Sequence, residues 1–304
     1  MPDLPEKLVR APRKQVYSVG MRLITFSGTG NSLEVAHRIA ASFPVTTVES
    51  VLHALSPGEP IVLDGVVGVV FPVHMNGVPR PVRRFLEQAD FANVEYLFAC
   101  ATHGGYPGNV GGQINLILKR TSARQEATRL LDEFFALELI NNTPKGVAPR
   151  PLMRMEWEQD ITPDHVERMQ RRLDDAMPGV NAAIAARTHG HADRYRSERK
   201  ARGSLMQRLI WQLADGSAPK LDFKLDESAC TRCGLCEKVC LSRRVVAVGG
   251  LPTWPRAAEC YYCYACFNVC PEQAIGVNYY TKKEGRYLFP GTTVEMLAAQ
   301  KPVQ

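Results

Sequence analysis

Short apolar runs and helical patterns alternate along the first half of the chain. Residues 21–26 form an apolar run, and the apolar positions from Leu33 to Ala40 then recur at helical spacing. Further strands are predicted at about residues 45–48, 66–71, 94–101 and 130–139, and a helix from about 81 to 88. Mostly apolar strands that alternate with helices predict an α/β fold, in which helices cover both faces of a parallel sheet.

A second helical pattern lies within residues 158–213. Apolar positions from Val166 to Met177 recur at steps of three and four residues, and they resume beyond Pro178. This pattern predicts one or two helices that cover the sheet. Residues 215–219 then interrupt the pattern and separate the first half from a smaller second half.

The turn after the first strand combines glycines with polar side chains. Residues 27–32 read Ser-Gly-Thr-Gly-Asn-Ser, and a predicted helix follows directly. Free N–H groups at a helix N-terminus favour an anion, so this turn is expected to bind a phosphate. It lacks the lysine of a P-loop, and Leu33 stands where a dinucleotide fingerprint has its third glycine. Glu49 lies at the separation expected of a ribose-binding acid, so NAD stays an alternative.

Two further loops follow the third and fourth predicted strands, at residues 71–79 and 102–109. In an open parallel sheet these loops converge with the first turn beyond the carboxyl ends of the strands. Their glycines let backbone approach a flat ligand closely, so a planar heterocycle is expected between them. Taken singly, His74 and His103 are at least as consistent with ordinary loop histidines as with ligand contacts, and neither resembles a metal ligand.

Eight of the nine cysteines form two identical C-x2-C-x2-C-x3-C patterns that are offset by 30 residues. This is the spacing of a two-cluster iron–sulfur protein, in which the fourth cysteine of each pattern binds the other cluster. The rule predicts two crossed sets of ligands. The first set is Cys230, Cys233, Cys236 and Cys270, and the second set is Cys260, Cys263, Cys266 and Cys240.

Other uses of these cysteines fit the spacing less well. A structural zinc module has no use for the third cysteine that follows each C-x2-C pair. A disulfide framework would spread cysteines along the chain, yet the first 229 residues contain only Cys100, which is expected to be a core thiol. Covalent haem would require C-x2-C-H, and no histidine follows either pair.

Composition indicates an ordinary globular protein of about two domains. The chain has 304 residues, of which 45% are hydrophobic and 22% are charged. The N-terminus has no apolar signal-like region, and the longest apolar stretch is too short to span a bilayer, so a reducing cytoplasm is expected. Bound clusters and a phosphate would lower the net charge of +6, so nucleic acid is not an expected partner. The basic residues 187–208 are more consistent with a solvated helix or linker than with a docking face.

The motifs resemble those of the flavodoxin–ferredoxin fusion family over residues 21–280. The turn at residues 27–32 is similar to the phosphate loop of flavodoxins, and the next two loops look like those that flank the flavin ring. The resemblance implies a flavodoxin-like, doubly wound, five-stranded parallel sheet that binds FMN, followed by a smaller α+β bacterial ferredoxin-like domain with two [4Fe-4S] clusters. One departure is that Leu241 follows Cys240, whereas Pro271 follows Cys270, which puts the turn after Cys240 in question.

The resemblance also implies residue assignments. The expected flavin contacts are Ser27, Gly28, Thr29, Gly30, Asn31, Ser32, Pro72, Val73, His74, Asn76, Gly77, Thr102, His103, Gly104, Gly105 and Tyr106. The expected divisions are an N-terminal extension (1–20), the flavodoxin-like domain (21–190), a basic linker (191–219), the ferredoxin domain (220–285) and a tail (286–304).

The combination of a flavin-binding domain and a two-cluster domain in one chain predicts an electron-transfer protein. It would pass electrons between FMN, two clusters and an external redox partner protein. A flavin-dependent reductase that acts on a small organic substrate is the alternative, and a cluster-based sensor is a third hypothesis. No catalytic residue is assigned and no membrane span is expected. Whether each flavodoxin half meets its own ferredoxin half or that of a neighbour, as in a homodimer, stays open.

Overall fold

The computed structural model describes residues 20–58, 60–75, 77–122, 129–146, 160–191, 222–277, 280–281 and 285–302. Five strands of the first half form one parallel sheet in the order β2-β1-β3-β4-β5. The strands are β1 (Met21–Thr25), β2 (Thr46–Ser50), β3 (Val62–Pro72), β4 (Asp90–His103) and β5 (Glu133–Glu138). This order is that of a flavodoxin-like doubly wound sheet, and it confirms the predicted fold class.

Helices connect these strands and cover both faces of the sheet. They are α1 (Asn31–Ser42), α2 (Val51–Ala54), α3 (Arg80–Gln88), α4 (Val110–Ser122) and α5 (Pro163–Ala185). Successive residues of a strand point to opposite faces, so Leu23 lies in one apolar core with α1 and α5, and Ile24 lies in the other with α3 and α4. Cys100 is fully buried in the first of these cores, as expected.

The predicted strands are all present, but several of their ends differ. β3 and β4 are longer than predicted, since they pair with each other from Val62 with Asp90 to Pro72 with Thr102. β5 begins at Glu133 instead of at about residue 130. The backbone just before it is held outside the β4–β5 ladder, where Leu131 N donates to Asn115 Oδ1 at 2.8 Å.

Within the predicted helical stretch, the described residues 160–191 contain the helix α5, which continues through Pro178, and residues 190 and 191 are again helical. A proline removes one helical hydrogen bond and leaves the carbonyl four residues earlier without its donor. Pro178 lies on the exposed face of α5, as does Asp174, so water can reach this carbonyl. Met169, Leu173 and Met177 line the buried face.

The second half is a small α+β unit, as predicted. Its elements are β7 (Phe223–Leu225), α6 (Leu235–Lys238), β8 (Val246–Val248), β9 (Leu251–Thr253), α7 (Ala265–Val269), β10 (Ile275–Val277) and α8 (Val294–Ala298). β7 pairs with β10 and β8 pairs with β9, both antiparallel. A short β6 (Lys145–Gly146) pairs with β11 (Tyr280–Thr281) and joins the two halves. No helix within the described ranges has the length and apolar character to cross a membrane.

The backbone of the second half repeats at the same 30-residue offset as its cysteines. Left-handed φ angles recur at equivalent positions: Arg232 and Tyr262 (56° and 56°), Gly234 and Tyr264 (75° and 51°), and Arg243 and Gln273 (56° and 50°). The turn after Cys240 therefore has the same left-handed residue as the turn after Cys270, although Leu241 replaces the proline. Leu241 is buried and packs into the core of the first half.

The C-terminal segment contributes to the core of the first half. Tyr287 and Phe289 are buried in the cluster that contains β1, α1 and α5, although the sequence suggested only a tail there. Apart from Gly20 and His191, the expected N-terminal extension and basic linker lie outside the described residues. The domain boundaries stay predictions.

Two glycine substitutions should affect stability in opposite directions. A Cβ atom at Gly68 in β3 would overlap the side chains of Phe98 and Leu23, so Gly68→Ala should lower the free energy of unfolding by about 1–3 kcal/mol. Gly179 lies on the exposed face of α5, where a Cβ atom would meet no neighbouring atom within 4 Å, so Gly179→Ala should raise it by about 0.5–1 kcal/mol. Urea denaturation of both variants measures the difference, and equal effects would contradict the packing described for β3.

Candidate cofactor and cluster sites

The phosphate-loop turn, residues 27–32, lies at the carboxyl edge of the sheet between β1 and α1. Gly30 directly precedes the first residue of α1. Its φ of 98° lies in the left-handed region, which favours glycine. Ser27, Thr29 and Ser32 are each at most 2% exposed. The turn is therefore inside the protein and not at its surface.

Several backbone amides of this turn have no acceptor among the residues that the structure describes. The N–H groups of Gly28, Thr29, Asn31 and Ser32 donate no hydrogen bond to any of the described residues. Buried N–H groups are almost always paired, and a group of them at a helix N-terminus suits an anion. The turn therefore fits a phosphate, and the amides are the observation that supports this fit.

The polar side chains of the turn have protein partners. Asn142 Nδ2 donates to Thr29 Oγ1 at 2.8 Å, and the Ser32 and Thr102 hydroxyls are 2.9 Å apart. Tyr287 donates its hydroxyl hydrogen to Asn31 Oδ1 at 2.8 Å. Because Asn142 is the donor in its bond, the Thr29 hydroxyl keeps its own hydrogen for an anion.

The second half covers this turn. A Cβ atom at Gly28 would lie 2.5 Å from the Cys263 carbonyl oxygen, so the backbone around a cysteine of the second pattern rests directly on the turn. Gln300 holds Ser27 from the other side, because its Oε1 accepts from Ser27 N and its Nε2 donates to Ser27 O, both at 2.8 Å. Phe289 N donates to Thr29 O at 2.8 Å. Within one chain, the first half therefore meets its own second half.

The loop after β3 also contacts the second half. His74 Nδ1 lies 2.8 Å from the Tyr261 carbonyl oxygen, and Phe26 packs edge-on against the rings of both residues. Burial lowers the pKa of His74 to about 4, so its imidazole is neutral near pH 7 and Nδ1 donates to the carbonyl. The loop turns back on itself, since His74 N donates to Gly77 O at 3.0 Å. Asn76 lies outside the described residues.

The loop after β4 lies beside the loop after β3, since Val73 N donates to Thr102 O at 2.7 Å. Gly105 N donates to His103 Nδ1 at 3.2 Å, and burial lowers the pKa of His103 to about 4. Met75 and Tyr106, on these two neighbouring loops, are 37% and 47% exposed. Large apolar side chains are therefore open to solvent where the sequence predicted a planar ligand.

The first cysteine set is together at the surface of the second half. Cys230, Cys233, Cys236 and Cys270 line one cavity, and Cys233 is exposed. Cys270 Sγ accepts a hydrogen bond from Ala274 N at 3.3 Å. This grouping is the one that crossed ligation requires.

The second cysteine set lies deeper, next to the phosphate-loop turn. Burial raises the pKa of the Cys263 and Cys266 thiols, and the nearby Cys240 and Cys260 thiols raise it further. Cys240 Sγ accepts from Val245 N at 3.4 Å. Such thiols must lose their protons to bind iron, so an iron–sulfur cluster would be needed to keep four of them charged together.

No group of three or more His, Cys, Asp or Glu side chains in the described ranges is arranged around a single metal ion. The four thiolates of a [4Fe-4S] cluster surround the whole cluster, which is larger than a single ion, so their sulfur atoms lie farther apart. Whether the eight cysteines bind clusters stays a prediction.

Sequence reasoning missed several residues of this region. Asn141 and Asn142 follow β5 at the same edge of the sheet, and the side chain of Asn141 packs against Gly104. The polar sequence Asn-Asn-Thr after a predicted strand was a signal that could have found them. Gln300 and Tyr287 carried no local signal, because they are 273 and 256 residues away from their partners.

Comparisons with known proteins identify a family match within the second half of the chain. Residues 229–275 match the family model of the 4Fe-4S dicluster domain. No curated protein matches the chain. One similar solved structure is that of a "Putative flavoprotein" from Bacteroides uniformis ATCC 8492, with 19% identity and a TM-score of 0.28 over 39% of this chain and 90% of the other. A likeness of that strength supports no inference about this chain. Residues 229–275 therefore have the sequence of an iron–sulfur domain.

Removing the Gln300 amide should destabilise the contact between the halves. Gln300→Ala leaves Ser27 N and Ser27 O buried without their partner, so the free energy of unfolding should fall by about 1–3 kcal/mol. Denaturant unfolding checks this value. Glu295→Ala is the control, since Glu295 lies in the same segment with an exposed ion pair to Lys238 and should change stability little. A similar loss in both variants would contradict a specific role for Gln300.

Proposed function

We propose that this protein transfers electrons between FMN, two [4Fe-4S] clusters and an external redox partner protein. The observation that supports this most directly is the contact of Gly28 with the Cys263 carbonyl. It joins the turn suited to a phosphate to the backbone of the second cysteine set. A cofactor held by one would lie beside a cluster held by the other.

In this proposal the first half holds FMN by its phosphate and its ring. The backbone amides of residues 28, 29, 31 and 32 bind the phosphate, and the Thr29 hydroxyl adds a donor. The loops that carry His74 and Tyr106 flank the ring. A flavin exchanges electrons singly or in pairs, whereas each cluster carries one at a time. Phe26, His74 and Tyr261 pack together beside the turn and exclude water from that side.

The two cysteine sets differ in their surroundings, and this difference suggests an order for the electron path. The second set adjoins the phosphate-loop turn and is mostly buried, whereas Cys233 of the first set is exposed. Electrons would pass between the flavin and the second cluster, then the first cluster, then the partner. Backbone N–H groups that donate to Cys240 and Cys270 would stabilise the charge of each cluster.

A flavin-dependent reductase is the second candidate. The exposure of Met75 and Tyr106 favours it, because a ring between these two loops would have one side open to a small organic substrate. In that case the clusters supply electrons to the flavin. Turnover of a substrate by the flavin-loaded protein distinguishes this candidate from a carrier.

Serine substitutions should test the crossed ligand sets. Cys270→Ser should damage the cluster that is otherwise held by Cys230, Cys233 and Cys236, and Cys240→Ser should damage the other. EPR spectra of anaerobically reduced protein, with iron and sulfide quantitation, identify the cluster that is lost. Cys100→Ser is the control and should retain both clusters, because Cys100 lies in the core of the first half. Selective loss of the second cluster in Cys270→Ser would contradict crossed ligation.

Charge and hydroxyl substitutions at Thr29 should test the phosphate loop. Thr29→Glu should expel FMN through repulsion between its carboxylate and the phosphate. Thr29→Val keeps the shape but removes the hydroxyl, so FMN affinity should fall roughly fivefold, which corresponds to one hydrogen bond of about 1 kcal/mol. Fluorescence titration with FMN measures both, and unchanged iron content shows that each variant is folded. Unchanged affinity in both folded variants would reject this loop as the FMN site.

A further inference from the structure

Among the described residues, Arg244 has the largest fully buried side chain, at 1% exposed. It follows Cys240 by four residues and lies in the second half. Its Nε donates to the Pro255 carbonyl at 3.2 Å. Burial raises the pKa of the Cys260 thiol, and the nearby Arg244 guanidinium acts against this shift. The backbone of Val245, the next residue, donates to Cys240 Sγ. Residues 244 and 245 therefore lie beside two members of the second cysteine set.

Charge inside a protein is costly unless an opposite charge is near, and two charges interact more strongly there than in water. A cluster ligated by four thiolates is an anion, and it becomes more negative when it accepts an electron. A fixed buried cation beside it favours the reduced form and raises its reduction potential. Hydrogen bonds to the sulfurs act in the same direction.

The internal repeat provides a comparison within the same molecule. The residue 30 positions after Arg244 is Ala274, whose backbone N–H donates to Cys270 Sγ as the N–H of Val245 donates to Cys240. The two sets thus have matching backbone donors. The buried guanidinium of Arg244 has no counterpart at Ala274 itself, where the half-buried Arg286 donates instead to the neighbouring carbonyls of Gln273 and Ile275, both at 3.3 Å. Arg232 lines the cavity of the first set, but it is exposed, so water and salt screen its charge.

We propose that Arg244 is a positioning residue that raises the reduction potential of the second-set cluster. This inference rests on the proposed function, since it requires both clusters to be bound.

The test is a redox titration of the full-length protein, loaded with both clusters under anaerobic conditions and followed by EPR. Arg244→Gln should make the second cluster at least tenfold harder to reduce, which is a fall of about 59 mV for one electron. The first cluster should not shift. Arg244→Lys keeps the charge and should retain most of the original potential. Arg256→Gln is the control, because Arg256 is 82% exposed and pairs with Asp222.

Each outcome decides a separate point. If the unaltered protein lacks the second cluster by iron and sulfide quantitation, the proposed function and this inference are both wrong. If both clusters are present but Arg244→Gln shifts neither potential, or shifts both equally, only the role of Arg244 is wrong. A fall in Arg244→Lys as large as that in Arg244→Gln would reject the charge as the cause. If Arg244→Gln does not hold its second cluster, the potential in Arg244→Lys decides.

Discussion

The contact between the phosphate-loop turn and the second half is the interaction on which the rest of this structure depends. A tight turn between a strand and a helix leaves backbone groups that neither element can pair. In this chain Gln300 and Phe289 satisfy Ser27 and Thr29, and Cys263 rests on Gly28. At an exposed position between the two halves, Arg84 of α3 donates two hydrogen bonds to the Glu259 carboxylate, at 2.8 and 2.7 Å. These polar contacts, some buried and some exposed, therefore fix the distance between the two halves.

This contact also determines the electrostatics of the region. The amides left free in the turn present partial positive charge, as does the N-terminus of α1. The neighbouring histidine, His74, is neutral near pH 7, because burial opposes its protonation. An anion at this turn would therefore be held by the backbone and not by cationic side chains. That arrangement needs no lysine and explains how a turn without a P-loop lysine can suit a phosphate.

The two cysteine sets have the same backbone but unequal environments. Left-handed residues, helices and N–H donors to sulfur recur at the 30-residue offset. The differences occur where the second set faces the first half: Leu241 replaces a proline and packs into the apolar core there, and Arg244 stands where the other set has Ala274. A repeat that folds against a partner on one side and solvent on the other acquires such differences, because its two halves bury different surfaces.

Local patterns in the sequence predict the five strands, the parallel sheet, the turn suited to an anion and the two cysteine sets. Each depends on residues that are close along the chain, such as the apolar run before residues 27–32 or the two-residue gaps between cysteines. Tertiary structure decided what covers that turn. Gln300, Tyr287 and Arg244 look like ordinary polar residues in the sequence, and they acquire roles only through partners that folding brings near. Local periodicity reports which face of an element is buried, but not which distant segment buries it.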